Sequence, residues 1–422
     1  MLWRALILLG ILLRILIVVL PGHRIRAPWS GGGDAFTYVL LAQNLLSGRG
    51  FTYALQPTAL RAPGYPLLLA ALTSLFHDNF VIVIRWIQFA LGLGTVYFCS
   101  RASARAFGEK AGRVTVILGL LFPTLIYVTG EVLTECIGAF VAALFLYLLT
   151  AETLHPRTAT LAAMGVLTGV AAIFRFNMAG LGFVGLWAAY AAKASRPAWQ
   201  RILLFSCCAG AAISPWLIRN QMAFHGQVLY STLSGHDAVE GVLTPQGRAL
   251  PGDDAKIKGA EGWILSDIET NAPTRLNFPP EPVLNHQAWS AALALWQQWG
   301  LRLLPVELEK VCYFWLSTDQ LASNPTLSIR QNLLRWSGVI SYWILLICGI
   351  IGFFRARQSA PQLAAAFLVY VVLLTALHMP FPMITRLRIP FMDPLIAILA
   401  GAAFSGDSRG ARRAASGIRV PA

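Results

Sequence analysis

Residues 80–100 read FVIVIRWIQFALGLGTVYFCS, an apolar run with a single charge, Arg85, and no proline. A bilayer core is crossed by about 20 apolar residues of helix, so this stretch reads as a membrane span. Comparable runs occupy 2–20, 113–129, 132–150, 159–175, 177–192, 201–218, 335–354, 361–378 and 388–404. A shorter one, Tyr65 to Phe76, suits a tilted or re-entrant helix. The reading is an all-α polytopic membrane protein of about ten transmembrane helices.

Composition agrees. The chain is 56% hydrophobic and 12% charged with a mean hydropathy of +0.61, where a soluble protein carries about 25% charged residues. The net charge of +14 is spread over short loops between apolar runs, a distribution that argues against nucleic acid as a partner. Six cysteines, Cys99, Cys136, Cys207, Cys208, Cys312 and Cys348, sit in or beside apolar segments without metal spacing and read as small core residues. The run 2–20 could pass for a signal peptide, but Arg14 interrupts it and no small-x-small cleavage site follows, so it is expected to be an uncleaved span.

Loop charges set the orientation. Arg101, Arg105, Lys110 and Arg113, then Arg157, then Lys193, Arg196 and Arg201, then Arg355 and Arg357, and the tail Arg409, Arg412, Arg413 and Arg419 fall on alternate loops. If these are cytoplasmic, both termini are too. The opposite face receives 21–79, the turns 129–131 and 175–177, the segment 219–334, and 378–388. The expected organisation is a transmembrane module, 1–218, whose first external loop (21–79) carries the catalytic groups. An external loop, 219–334, follows, then C-terminal spans over 335–404 and a basic tail, 405–422. Two external helices are expected to lie in the headgroup plane: 34–47, with Thr37, Gln43, Asn44 and Ser47 on one side, and one beside Trp289, Trp296 and Trp299, broken by Pro305.

Charges at membrane depth cost about 2.5–3.5 kcal/mol each on insertion scales and call for a reason. Asp34, Arg61, Glu131, Glu135, Arg175, Arg219, His378, Arg386 and Arg388 all fall at the outer ends of spans, on one face. Snorkelling and pairing with anionic lipid explain single arginines but not the acids. Asp34 could be an N-cap or a general base. Glu131 and Glu135, four apart, are expected on one helical face, where Arg175 could pair with them. The guanidinium fork suits phosphate oxygens, so arginines converging beside acids fit group transfer from a lipid phosphate. They fit a transporter or flippase poorly, since its charges lie at the midplane. A polymerase or ligase of lipid-linked glycans is the other alternative. No P-loop, Gly-x-Ser-x-Gly, Cys-x-x-Cys or His-Glu-x-x-His occurs, and His225, His236, Asp237 and His286 match no standard metal spacing.

At these residues the sequence resembles the GT-C polytopic glycosyltransferases, in particular the bacterial branch related to protein O-mannosyltransferases and to the aminoarabinose transferase of lipid A. The resemblance rests on Gly33-Asp34-Ala35-Phe36-Thr37-Tyr38, on Ala42-Gln43-Asn44-Leu45-Leu46 with Gly48-Arg49-Gly50-Phe51, and on Arg61-Ala62-Pro63-Gly64-Tyr65-Pro66. Gly130-Glu131-Val132-Leu133-Thr134-Glu135, Pro215-Trp216-Leu217-Ile218-Arg219-Asn220 and Arg386-Leu387-Arg388-Ile389-Pro390 complete it in order. The resemblance implies a GT-C-like bundle and an inverting transfer of sugar from a polyprenyl-phosphate donor to a glycan, lipid or protein acceptor. The site would lie at the outer face of a bacterial cytoplasmic membrane, among membrane lipids. It implies Asp34 as the base that deprotonates the acceptor, with its pKa raised by modest desolvation, and Glu135 and Glu131 as further acids. Arg61, Arg386, Arg388 and Arg175 would contact the donor phosphate, and Tyr65, Tyr38, Arg219 and His378 would line the substrate. Many such enzymes carry two first-loop acids spaced for a metal. Here Ala35 and Phe36 follow Asp34 with no second acid nearby, so no cofactor is expected, this loop does not support a divalent metal, and arginines would stabilise the leaving phosphate.

Overall fold

A computed structural model describes residues 2–19, 33–53, 56–242, 280–317 and 329–405. Among the described residues the secondary structure is helical apart from one two-stranded hairpin, β1 (Thr52–Tyr53) against β2 (Gln56–Pro57). The helices before the hairpin are α1 (Leu2–Val19) and α2 (Gly33–Leu46). After it come α3 (Gly64–Phe76), α4 (Phe80–Phe107), α5 (Glu109–Leu121), α6 (Pro123–Tyr127), α7 (Glu135–Leu154), α8 (Thr158–Phe174), α9 (Leu181–Ala191), α10 (Ala198–Ala223) and α11 (Ser234–Glu240). The rest are α12 (Glu281–Trp299), α13 (Leu304–Leu316), α14 (Ile329–Ser359), α15 (Pro361–His378) and α16 (Thr385–Ala402).

Six helical stretches among the described residues are long and apolar enough to cross a membrane: Leu2–Val19, Gly64–Phe107, Glu135–Leu154, Ala198–Ala223, Arg335–Ser359 and Pro361–His378. The other apolar runs take different forms. The run 113–129 is split, because Pro123 has no N–H to continue α5 and pushes Phe122 into extended backbone (φ −66°, ψ 111°). Arg14 of α1 meets that break, donating to the carbonyls of Gly119 (2.8 Å) and Leu125 (2.9 Å). The runs 159–175 and 177–192 fold as helices of 17 and 11 residues separated by a 3-10 turn, Phe176–Gly180.

Helix α16 is the axis of the bundle. It is buried from Arg388 to Ala402 and packs on α4, α5, α7 and α14. Helices α8 and α10 pack backbone to backbone: a Cβ at Gly169 would come within 2.4 Å of the Ala209 carbonyl oxygen, the close approach small residues permit in membrane helix pairs. Around the bundle, Leu8, Tyr97, Phe183, Leu203, Ile344 and Val372 are exposed, the outward apolar surface of a chain whose solvent is lipid.

The two helices expected to lie in the headgroup plane each differ from expectation. The polar residues of α2 do not share one outward stripe. Asn44 is buried and its Nδ2 donates to the Thr52 carbonyl (2.8 Å), tying the helix to the hairpin. The break between α12 and α13 lies at Gly300 (φ +48°), and Pro305 instead starts α13, where its missing N–H costs nothing. The tail arginines fall outside the described residues.

Candidate functional site

Four helices end at one pole of the bundle. Glu135 opens α7, Arg175 follows the last residue of α8, His378 closes α15 and Arg386 lies in the first turn of α16. To this pole the segment before α3 adds Asp34, in the first turn of α2, where helix N–H groups favour a carboxylate. It also adds Arg61, on the irregular segment that leads into α3.

These side chains form one alternating chain of charge. Arg61 Nη2 lies 2.5 Å from Asp34 Oδ1, and Arg386 Nη2 donates to Asp34 Oδ2. Arg386 Nε donates to Glu135 Oε1 (2.5 Å), which also pairs with Arg175 Nη1 (3.2 Å). Arg175 donates on to Thr134 Oγ1 (2.8 Å) and to Asn177 Oδ1 (3.0 Å). Asn177 Nδ2 meets His378 Nε2 at 3.2 Å, and His378 Nδ1 meets the Leu374 carbonyl at 2.6 Å. A carbonyl only accepts, so Nδ1 carries the proton and Nε2 accepts from the amide: the ring is neutral.

Exposure divides the chain into a working end and a buried end. Glu135 is 1% exposed and Arg175 10%, whereas Arg61, Asp34 and Arg386 are 22%, 24% and 38% exposed. The groups that can meet a ligand are therefore one carboxylate flanked by two guanidinium forks. Burial opposes ionisation of Asp34, but Arg61, Arg386 and Arg175 together outweigh it and hold the carboxyl at about 2. This reverses the direction expected from sequence, where desolvation alone was to raise it.

Tyr38 and Tyr65 lie beneath rather than in the opening. The Arg61 guanidinium sits 5.7 Å from the centroid of the Tyr38 ring, which meets Tyr65 edge to face at 5.2 Å. Both tyrosines are buried, and the Tyr65 hydroxyl pairs with Gln88 Oε1 (3.2 Å), so these two residues support Arg61 instead of lining the substrate. Gln88 in turn donates to the carbonyls of Thr129 (3.1 Å) and Glu131 (2.6 Å), fixing the turn before Glu135.

Three further expectations are corrected. Glu131 shares no helical face with Glu135, because α7 begins at Glu135 and Glu131 lies in the turn before it, acting on Arg85. Arg388 is fully buried inside the bundle. It donates to Asp393 Oδ1 (2.9 Å), Ser317 Oγ (2.6 Å) and the Phe314 carbonyl (3.2 Å) and stacks 3.7 Å from the Tyr342 centroid, so it is not open to a phosphate. Arg219 is spent on the loop: it donates to the carbonyls of Thr58 and Phe51 (2.8 Å each) and stacks on Phe51, Trp216 and Phe224. Asn177 and Thr134 join the site without a charge to mark them in the sequence. Glu281 holds the loop from below, accepting from the Ala59 amide (2.9 Å) and Thr232 Oγ1 (2.7 Å).

Residues 60–218 match the family model described as dolichyl-phosphate-mannose-protein mannosyltransferase. No curated protein matches the sequence. Among solved structures, the archaeal oligosaccharyltransferase AglB of Archaeoglobus fulgidus, in complex with an inhibitory peptide and a dolichol-phosphate, aligns with a TM-score of 0.54 at 12% identity. The alignment covers 99% of this chain and 52% of AglB, so the chain spans about half that enzyme's length. The same archaeal enzyme in its apo form gives 0.53 at 13% identity over 99% of this chain and 52% of its own. ArnT of Cupriavidus metallidurans bound to undecaprenyl phosphate aligns at 16% identity over 99% of this chain and 80% of its own, with a TM-score of 0.42. Over residues 60–218, the stretch that carries Arg61, Glu135 and Arg175, the sequence is similar to the dolichyl-phosphate-mannose-protein mannosyltransferase family, and over nearly its whole length the fold is similar to that of the archaeal oligosaccharyltransferase.

Proposed function

We propose that the chain is an inverting glycosyltransferase that moves a sugar from a polyprenyl-phosphate donor to an acceptor hydroxyl or phosphate. In this proposal the site faces the outer side of a bacterial cytoplasmic membrane crossed about ten times, with both termini inside. The observation that carries the reading is the open end of the charge chain, a carboxylate between two partly exposed arginines. The dolichol-phosphate in the AglB complex adds support for a lipid phosphate as the leaving group.

Each group then has a role its geometry allows. Asp34 is the base that takes the acceptor proton as the acceptor attacks the anomeric carbon. Arg61 and Arg386 bind the donor phosphate and stabilise the charge it gains on leaving. Inversion requires base and leaving phosphate on opposite sides of that carbon, the in-line demand met by inverting glycosidases. Glu135 and Arg175, out of the ligand's reach, position Arg386.

Without donor, Asp34 is a weak base, because both forks stabilise its charge. A phosphate that draws Arg61 and Arg386 onto its own oxygens removes part of that stabilisation, so donor binding itself raises the basicity of Asp34. Base catalysis is thereby coupled to donor occupancy, which limits proton abstraction in an empty site. Transfer from a polyprenyl-phosphate sugar in proteoliposomes tests the proposal: Asp34→Asn loses at least about 10²-fold in rate, and full turnover in that variant refutes the assignment.

A further inference from the structure

The end of the bundle away from Asp34 holds a second group of polar side chains. Helix α8 runs 17 residues, about 25 Å, and its last residue adjoins Arg175 of the transfer site, so its first turn lies at the far pole. There Arg201, in the first turn of α10, donates from Nη2 to Glu152 Oε1 (2.6 Å) and from Nε to the Ala189 carbonyl (2.9 Å). Glu152 Oε2 accepts from the Arg157 amide (3.0 Å), so this buried carboxylate is bonded at both oxygens. The Arg201 side chain is only 5% exposed, yet among the described residues its Nη1 has no partner.

A cavity of about 100 Å³ opens beside Arg201, lined by Thr158, Ser195, Arg196, Gln200 and Leu204 as well. That is more room than a single water needs. No acid lines it, and the segments that meet there, 152–158 and 192–201, carry Arg157, Lys193, Arg196 and Arg201 against Glu152 alone. Helices α8 and α10 both begin at its wall, and no side chain caps either of them. Two guanidinium groups, two hydroxyls, a carboxamide and the first amides of two helices therefore surround one space, and each of them can donate. What the cavity lacks is an acceptor that carries negative charge.

We propose that this cavity binds the phosphate of an anionic phospholipid headgroup. Guanidinium forks and helix-start amides both suit phosphate oxygens. Arg201 cannot swing away without orphaning buried Glu152, so its Nη1 is a fixed contact, and exposed Arg196 closes on the ligand from the rim. The outer wall points to a lipid rather than a free ion. Trp199 and Leu203, one turn apart on α10, are 62% and 54% exposed, an indole at headgroup level followed by an apolar path for an acyl chain. In the orientation proposed above this pole faces the cytoplasm, whose leaflet is rich in anionic lipid. A lipid held here bridges the starts of α8 and α10, the two helices whose backbones touch at Gly169.

The test is binding to the full chain, delipidated in detergent, by titration and by native mass spectrometry. The probes are short-chain phosphatidylglycerol, phosphatidylcholine of the same chains, and inorganic phosphate. Phosphatidylglycerol should bind at least about tenfold more tightly than either of the others. Arg196→Ala should weaken it about tenfold and Gln200→Ala about threefold, with thermal unfolding of the delipidated protein unchanged in both. Arg61→Ala, at the opposite pole, should change it less than about threefold. Binding that survives intact in Arg196→Ala, or that is lost in Arg61→Ala instead, overturns the proposal, and equal affinity for inorganic phosphate overturns the lipid assignment. Phosphatidylglycerol bound through Arg196 in a protein without transfer activity upholds this site and counts only against the proposed reaction.

Discussion

Replacing Asp34 with Asn should strengthen donor binding while abolishing transfer. Asp34 and the donor phosphate compete for the same two forks, Arg61 and Arg386. The depth of that competition follows from the carboxyl, held at about 2 against an ordinary 3.8. At 1.36 kcal/mol per pKa unit, the site favours the Asp34 charge by about 2 kcal/mol net of its burial. Asn keeps the size and one acceptor oxygen but not the charge. If half to all of that energy becomes available to an incoming phosphate, the dissociation constant for a polyprenyl phosphate falls about 5- to 30-fold. Binding to detergent-solubilised protein, measured by titration beside a transfer assay on the same preparation, reads both effects. Weaker lipid-phosphate binding in Asp34→Asn, comparable to that of an arginine deletion, would refute the competition, and undiminished turnover would refute the base.

The arginine side has its own signature: Arg61→Ala should weaken polyprenyl-phosphate binding at least about tenfold, from loss of a charged bond, while leaving acceptor affinity within about twofold in the same titrations. Because the folded carboxyl of Asp34 is depressed, its contribution is present above the ordinary value near 4 and lost as pH falls toward about 2. Thermal stability of wild type and Asp34→Asn should therefore differ by a constant amount above about pH 5, with the difference shrinking as pH falls from about 4 and vanishing only below about 2, and a difference that persists there would contradict the pairing. Arg388→Met should cost about 3–5 kcal/mol by leaving buried Asp393 uncompensated, whereas the double variant Arg388→Met, Asp393→Leu should recover most of it in denaturation experiments.

How much of this could be read from residues alone depended on whether local spacing or distant packing decided the outcome. Asp34, Arg61, Glu135, Arg175 and Arg386 were legible because topology alone carries helix ends to one pole. Arg388 was not. Residues two apart on a helix point about 200° away from each other, so with Arg386 turned to the pole, Arg388 must turn into the bundle, where Asp393, Ser317 and Tyr342 wait for it. The i,i+4 argument for Glu131 and Glu135 failed for a related reason: it assumes one continuous helix, and α7 starts only at Glu135. Arg219 sits where expected in the chain, but carbonyls of the first loop, invisible as acceptors in a sequence, use up its fork.

The partnership of Arg14 with the Pro123 break ties the assembly of three helices together. An arginine in the middle of the first span is costly in lipid, about 2.5–3.5 kcal/mol on insertion scales, and the carbonyls that receive it belong to residues made more than a hundred positions later. Until α5 and α6 emerge from synthesis, α1 carries an unanswered charge. Until α1 is alongside, the Gly119 carbonyl, whose donor four residues on would be Pro123, lacks that helical bond. The two needs are met together, so the packing of α1 against α5 and α6 answers the charge of Arg14 and the carbonyls of the break in one step.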